Sequence, residues 1–354
     1  MPPRRPRLTP AMADIRRAVR TTLQARFPEA LTEVTRLAGC SGGTHIDIPV
    51  DAPLVLVALS GGPDSLALAA ATAFEAPRAG LRAGAVIVDH QLQPGSAKVA
   101  AAAAAQARSL GLSPVDVMTV DVVSQDGPEA DARRARYAAL TAAADRLGAE
   151  AVLLGHTLDD QAETVLLGLA RGSGATSIAG MAEVTGLYLR PLLGIRRSMT
   201  EQSCVDQGLD VWHDPHNDDD SYTRVRIRRL LPEMEAVMGP GVVEALGRTA
   251  EQVQLDTEVL EHMTQDALTE ALAVEGSDLA AGALAITTLE TKPASIRRRA
   301  VRLFAEQNVG VSLTSAHTLA IDELIMNWHG QQPVQVPLCD VQRENGVLFF
   351  RARD

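Results

Sequence analysis

Cysteine is scarce in this chain. Cys40, Cys204 and Cys339 are the only three in 354 residues, and they form no C-x-x-C pair, no zinc pattern and no disulfide framework. That scarcity predicts a reducing, cytoplasmic setting. Aromatic residues make up only 3% of the chain, which argues against a broad platform for stacking bases. No apolar run approaches the ~20 residues of a membrane span, and the opening MPPRRPR lacks the apolar core of a secretory signal. A membrane partner is therefore not expected. Positive charge is also in deficit: 33 Lys and Arg against 44 Asp and Glu leave a formal net charge of −11. The arginines are bunched, however, at 133–136, 224–229 and 297–302, and local clusters can bind phosphate on an acidic protein. Two common phosphate motifs are missing: there is no G-x-x-x-x-G-K-[ST], and no G-x-G-x-x-G follows a strand.

What is present is an alternation. Strand-like apolar runs at 54–59, 83–88, 114–120, 151–154 and 187–193 are separated by helical patterns at 64–75, 96–110, 129–147 and 158–171. An amphipathic helix at 10–27 precedes them. The alternation predicts an α/β fold: a five-stranded parallel sheet with helices on both faces. From residue 222 to 274 the sequence reads as helix throughout, and further helices are predicted near 294–307 and 314–327. The end reads as a short hairpin turning at Asn345-Gly346. The predicted organisation is a lead-in over 1–50, an α/β domain over 51–223 and a mainly helical domain over 224–354.

The first strand runs into LVALSGGPDSLAL, residues 56–68. Ser60-Gly61-Gly62-Pro63-Asp64-Ser65 joins a strand to a helix, so loop amides and a helix N-terminus can together cradle a phosphate. Ser60 and Ser65 add hydroxyls, and Asp64 supplies a carboxylate oxygen suited to Mg²⁺. Read by residues alone, the same stretch is equally a glycine turn with Asp64 as helix N-cap. Asp159, Asp160 and Glu163 alone read as first-turn acids that suit a helix dipole, with His156 just ahead of them. HDPHNDDD, residues 213–220, reads as turn chemistry rather than a metal site.

The Ser-Gly-Gly-x-Asp-Ser loop resembles the PP-loop of N-type ATP pyrophosphatases. Separated motifs narrow the resemblance to the tRNA(Ile)-lysidine synthase family: VDHQLQPGS (88–96), EADARRARYAAL (129–140), LLGHTLDDQAETVLLGLARGSGATSIAGM (153–181), RPLLGIRR (190–197) and GLDVWHDPHNDDDSYTRVRIRRLLP (208–232). The resemblance implies a sheet ordered 3-2-1-4-5 and an ATP site built from Ser60, Gly61, Gly62, Pro63, Asp64, Ser65, Gly155 and His156, with Mg²⁺ on Asp64. It implies catalysis and lysine binding by Asp159, Asp160, Glu163 and Arg224. It further implies that Arg224, Arg226 and Arg228 face phosphates of ATP or tRNA. Arg133 and Arg136, three apart on a helix, read equally as a solvated face or as phosphate contacts and are grouped with the tRNA-binding residues. Arg297, Arg298 and Arg299, on a helix with no acids of its own, read as a tRNA-backbone contact in preference to a charged surface. The implied reaction joins free L-lysine to C2 of the wobble cytidine of tRNA(Ile) with a CAU anticodon, releasing AMP and pyrophosphate; a homodimer is compatible with the family. The rival reading is another PP-loop adenylating synthetase that acts on a small-molecule carbonyl. Four positions depart from the family pattern. The family usually has Gly and Arg where Gln91 and Gln93 stand, His at Thr157 and Asn at Val225.

Overall fold

A computed structural model describes residues 8–30, 32, 48–91, 93, 95–121, 127–172, 174–215, 219–272 and 283–353. Cys40, His216, Asn217, Asp218 and the end of the 222–274 stretch lie outside the described residues.

The first helix, α1 (Pro10–Arg26), is followed by the central strand β1 (Leu54–Ala58), then α2 (Pro63–Glu75), β2 (Arg82–Asp89), α3 (Ser96–Ser109), β3 (Val115–Thr119), α4 (Pro128–Leu147), β4 (Ala149–Leu153) and α5 (Leu158–Arg171). Every residue of β1 is buried, as an apolar strand between two helical layers must be. Its side chains alternate between faces. Val55, Val57 and Leu59 join Ile15, Val19 and Leu23 of α1, Leu66 and Leu68 of α2 and the buried alanines of α3. Leu54, Leu56 and Ala58 face Leu140, Ala143 and Ala144 of α4. Alanine at 100, 103, 104 and 107 lets α3 lie close against the sheet.

Two short strands follow, β5 (Val184–Thr185) and β6 (Tyr188–Leu189), and the sheet order is β3-β2-β1-β4-β6-β5. Its five parallel strands stand in the expected order, but the fifth, predicted over 187–193, is only Tyr188–Leu189 (β6). A short strand β5 (Val184–Thr185) adds to it antiparallel at the edge. The segment beyond β6 turns instead into α6 (Arg197–Gln207), a helix with no counterpart in the sequence reading. The cause is its buried face, made of Thr200, Ser203 and Cys204, which carries no hydrophobic period.

The long helical stretch is broken at Gly239-Pro240-Gly241, where both glycines have φ near the left-handed range (98° and 95°). The result is α7 (Thr223–Met238) and α8 (Val242–Leu272). Leu231 of α7 and Val243 of α8 pack with Ala162 of α5. The compact units divide between Val253 and Gln254, inside α8.

The second unit contains β7 (Ala283–Ala285), α9 (Ala294–Phe304), α10 (Ser315–Met326), β8 (Val334–Val336), β9 (Cys339–Glu344) and β10 (Val347–Ala352). The expected hairpin is β9–β10, turning at Asn345 (φ 49°) and Gly346 (φ 80°). It sits within a four-stranded antiparallel sheet, β7-β10-β9-β8. Phe304, Ile321, Leu324, Val341 and Leu348 are at the centre of this unit's core. Among the described residues, no helix is long and apolar enough to cross a membrane.

Candidate active site

The loop after β1 is held by its own serines. Ser65 Oγ accepts from the Ser60 N–H at 3.2 Å, donates to the Gly62 carbonyl at 3.0 Å and lies 3.1 Å from Ser60 Oγ. Gly61 has φ 86° and its carbonyl accepts from the Trp212 N–H at 3.0 Å. The helix N-cap is Gly62, with Pro63 in the first turn, so Asp64 is not the capping residue. Its carboxylate is left to face elsewhere. Gly155, beyond β4, packs on this loop: a Cβ there would stand 3.1 Å from both the Asp64 carbonyl carbon and the Ser65 nitrogen. The contact closes the β1/β4 side of the loop.

A cavity of about 440 Å³ opens on the other side, over the carboxyl ends of β1 and β2. Its walls include Ala58, Val88, Leu140 and Trp212, with Ser60, His90 and Arg136 as polar groups. Burial first, then Arg136, hold the His90 imidazole below its ordinary pKa against the pull of Asp89, and its buried Nδ1 has no hydrogen-bond partner. The Nδ1 of His156 is likewise buried and unpartnered. Burial keeps that imidazole neutral, although the nearby Asp160 favours its charged form and Arg136, Arg190 and Arg133 oppose it. The space is of nucleoside size, and its walls carry the unpaired His90 ring nitrogen and the Arg136 guanidinium.

On the closed side the acids gather. Thr157 caps α5 in a reciprocal box: its N–H and hydroxyl both donate to Asp160 Oδ2 at 2.8 Å. Arg197 then spans three carboxylates, with Nη2 2.6 Å from Asp160 Oδ1, Nη1 3.4 Å from Glu163 Oε1 and Nε 3.4 Å from Asp64 Oδ2. Arg228 Nε donates to Glu163 Oε1 at 2.8 Å; that carboxylate is 2% exposed. Asp159 faces the start of α6, where its Oδ2 accepts the Arg197 N–H at 2.7 Å, and Arg196 Nε lies 3.3 Å from Oδ1. The Thr200 hydroxyl contacts Asp64 Oδ1 and also the Arg197 carbonyl at 2.7 Å. Burial pushes the Asp64 carboxyl up to about 6, although Thr200 and Arg197 pull it down. Burial pushes Asp160 the same way, but Arg197 and the Thr157 N–H hold its carboxyl below the usual range.

The structure thus brings Ser60, Asp64, Ser65, Gly155, Asp159, Asp160, Glu163 and Arg228 together around one loop. Arg224 stands in the first turn of α7. Arg136, grouped with the tRNA-facing arginines in the sequence reading, lines the cavity instead, while Arg133 is exposed over the Tyr137 ring. Arg226 is exposed and donates to the Asp220 and Ser221 carbonyls beside its own helix start. In the second unit Arg297 is buried against Asp322, Nε to Oδ1 2.5 Å, so it cannot reach a nucleic-acid backbone. Arg298 also pairs with Asp322, at 2.8 Å. The missing acid that favoured a tRNA role is supplied by α10. Arg299 has no ion pair among the described residues. Arg196, Arg197 and Thr200 were missed because α6 was missed; the adjacent arginines of RPLLGIRR, facing a family of acids, were the available signal. Among the described residues, no cluster of His, Cys, Asp and Glu is arranged to hold a metal unaided.

The sheet and its Ser-Gly-Gly-Pro-Asp-Ser loop define a PP-loop protein, and the PP-loop domain family matches residues 41–234. The TilS substrate binding domain family matches residues 284–349. The tRNA(Ile)-lysidine synthase of Leifsonia xyli subsp. xyli (strain CTCB07) is 55% identical over 84% of this chain and 89% of its own length. That of Streptomyces coelicolor (strain ATCC BAA-471 / A3(2) / M145) is 50% identical over 85% and 86%, and that of Salinispora arenicola (strain CNS-205) 44% over 97% and 95%. The chain belongs to the tRNA(Ile)-lysidine synthase family. Among solved structures, the U34-tRNA thiolase NcsA from Methanococcus maripaludis, with its 4Fe-4S cluster, shares the fold at a TM-score of 0.53. It is 16% identical and covers 69% of this chain and 79% of that one.

Proposed function

We propose that the two flanks of the PP-loop divide ATP-dependent lysidine formation on tRNA(Ile) between them. The cavity flank takes the adenosine, with Trp212 and the apolar wall around the base and Arg136 near the phosphates. The loop amides and the N-terminus of α2 receive the phosphate chain. The wobble cytidine C2 oxygen attacks the α-phosphorus, the bond to the bridging oxygen breaks, and pyrophosphate leaves. The ε-amine of lysine then attacks C2, the C2–oxygen bond breaks, and AMP departs carrying that oxygen. The acid flank, Asp160 and Glu163, fits the ammonium group of the incoming lysine. Asp64 offers one hard oxygen donor beside the phosphates, which suits Mg²⁺, an ion that takes few protein ligands. When bound there, Mg²⁺ would neutralise charge on the departing pyrophosphate. Free lysine and a tRNA as substrates place the reaction in the cytoplasm.

One observation carries this reading: a nucleoside-sized cavity and an arginine-tied acid cluster meet on opposite flanks of a single phosphate-binding loop. Sulfur transfer, the other chemistry of this fold, finds no reactive thiol among the described residues. Cys204 is buried, and burial followed by the nearby Asp64 pushes its thiol up to about 12; burial also raises Cys339. The test is AMP release with lysine and tRNA supplied together or separately. AMP and labelled lysine in tRNA should appear only with a tRNA(Ile) bearing the CAU anticodon. ATP cleavage indifferent to tRNA would point to a small-molecule acceptor. Asp64→Asn should lower adenylation by about 10²–10³-fold with tRNA affinity unchanged, and loss of both would remove Asp64 from the phosphate site.

A further inference from the structure

The Arg197 side chain touches carboxylates on both helices flanking the loop: Asp64 of α2, and Asp160 and Glu163 of α5. Its own backbone is fixed as tightly as its head group. The N–H at the start of α6 is held by Asp159, an acceptor placed where a helix N-terminus favours negative charge. One turn later Thr200 returns to Asp64. Glu163 keeps a second cation in Arg228, whereas among the described residues Asp64 has the Thr200 hydroxyl as its one side-chain partner besides Arg197. Asp160 raises the Asp64 pKa as a like charge, and Arg197 is a cation that reaches both, while Arg228 lies 3.9 Å from Asp160 alone of the two. A guanidinium can do this work because its donors leave in several directions within one rigid plane; an ammonium is a point charge and cannot hold three separated partners in fixed relation.

We propose that Arg197 is a positioning residue that locks the PP-loop aspartate to the acids of α5, so that the groups serving adenylation and those serving the amine move as one body. This rests on the lysidine reading of the same site. Asp159, expected from the sequence among the catalytic acids, then acts one step back, by capping the helix that presents Arg197.

The experiment measures the two half-reactions separately in Arg197→Lys, Arg197→Gln and Thr200→Val. Adenylation is read as pyrophosphate release with tRNA and no lysine; the second step is read from the lysine KM of the complete reaction. Arg197→Lys, with its melting temperature checked, should slow adenylation by about 10–100-fold and also raise the lysine KM. Arg197→Gln should do both more severely, so that the lysine variant shows partial rescue by charge alone. Thr200→Val, which removes a contact to Asp64 but none to Asp160 or Glu163, should slow adenylation and leave the lysine KM alone. A wild-type value for either half-reaction in Arg197→Lys would overturn the proposal. If neither Arg197 variant folds, a double-mutant cycle between Thr200→Val and Glu163→Gln reads the same connection: their effects on adenylation should be non-multiplicative, and multiplicative effects would overturn it. A wild-type enzyme with no tRNA-dependent AMP release would instead remove the lysidine reading and leave the Arg197 geometry as found.

Discussion

Gln91 shows how a single backbone angle can explain a departure from a family's pattern. Its φ is 55°, in the left-handed region that glycine enters freely and a side chain resists. Its N–H donates to Asp89 Oδ1 at 3.0 Å, which holds the turn in place. A family that usually carries Gly here is answering the same geometry. Gln91→Gly should raise stability by about 0.5–1 kcal/mol, read as a higher denaturation midpoint at unchanged m-value; a lower midpoint would show that the side chain contributes more than the strain. The other departures are equally local. Thr157 is an N-cap, a task for which threonine is well suited. Gln93 donates to Asp214 Oδ1 at 2.9 Å and ties two loops at the cavity rim, and Val225 is buried on α7.

At the scale of elements, α9 separates charge that folds the protein from charge that can meet a ligand. Arg297, on the buried face, should behave as part of the core. Arg297→Met leaves Asp322 buried with one partner and should destabilise by about 3–5 kcal/mol; Arg297→Met with Asp322→Leu should recover most of that. Arg299→Glu should leave stability unchanged but weaken tRNA binding and reduce its salt slope by about 1. Urea titrations and filter binding across a salt series decide both, and a changed salt slope in the folded Arg297 double variant would refute the division. The sequence could not make this distinction, because Asp322 lies on another helix. It was legible wherever hydrophobic period and turn chemistry act locally: the strands of the sheet, the loop, the crossover helices and the Asn345-Gly346 turn. It was illegible where a helix buries hydroxyls and a thiol, as α6 does, and there the residues that organise the acids were lost from view.

At the scale of the whole molecule, Asp64 should give the ligand-free protein an unusual pH dependence. Burial pushes its carboxyl up to about 6 in the folded state, against 3.8 for the free side chain. Between those values the native state binds more protons than the unfolded chain, so stability falls by about 3 kcal/mol as pH rises from about 4 to about 6 and is level above. Asp322, whose carboxyl Arg297 and Arg298 hold low despite burial, acts in the opposite sense: its contribution is lost as pH falls. Urea unfolding from pH 4 to 7 without nucleotide or Mg²⁺ should show a slope that Asp64→Asn removes, and an identical slope in both proteins would place the proton elsewhere. The strand order of the second unit reaches beyond equilibrium, into the timing of synthesis. Its sheet sets β7 beside β10, the first strand of the unit beside the last. The first sheet has all its strands once residue 189 has left the ribosome, and can close while translation continues. The second must wait for β10, so a chain stalled in between would display a finished nucleotide loop and an unpaired β7.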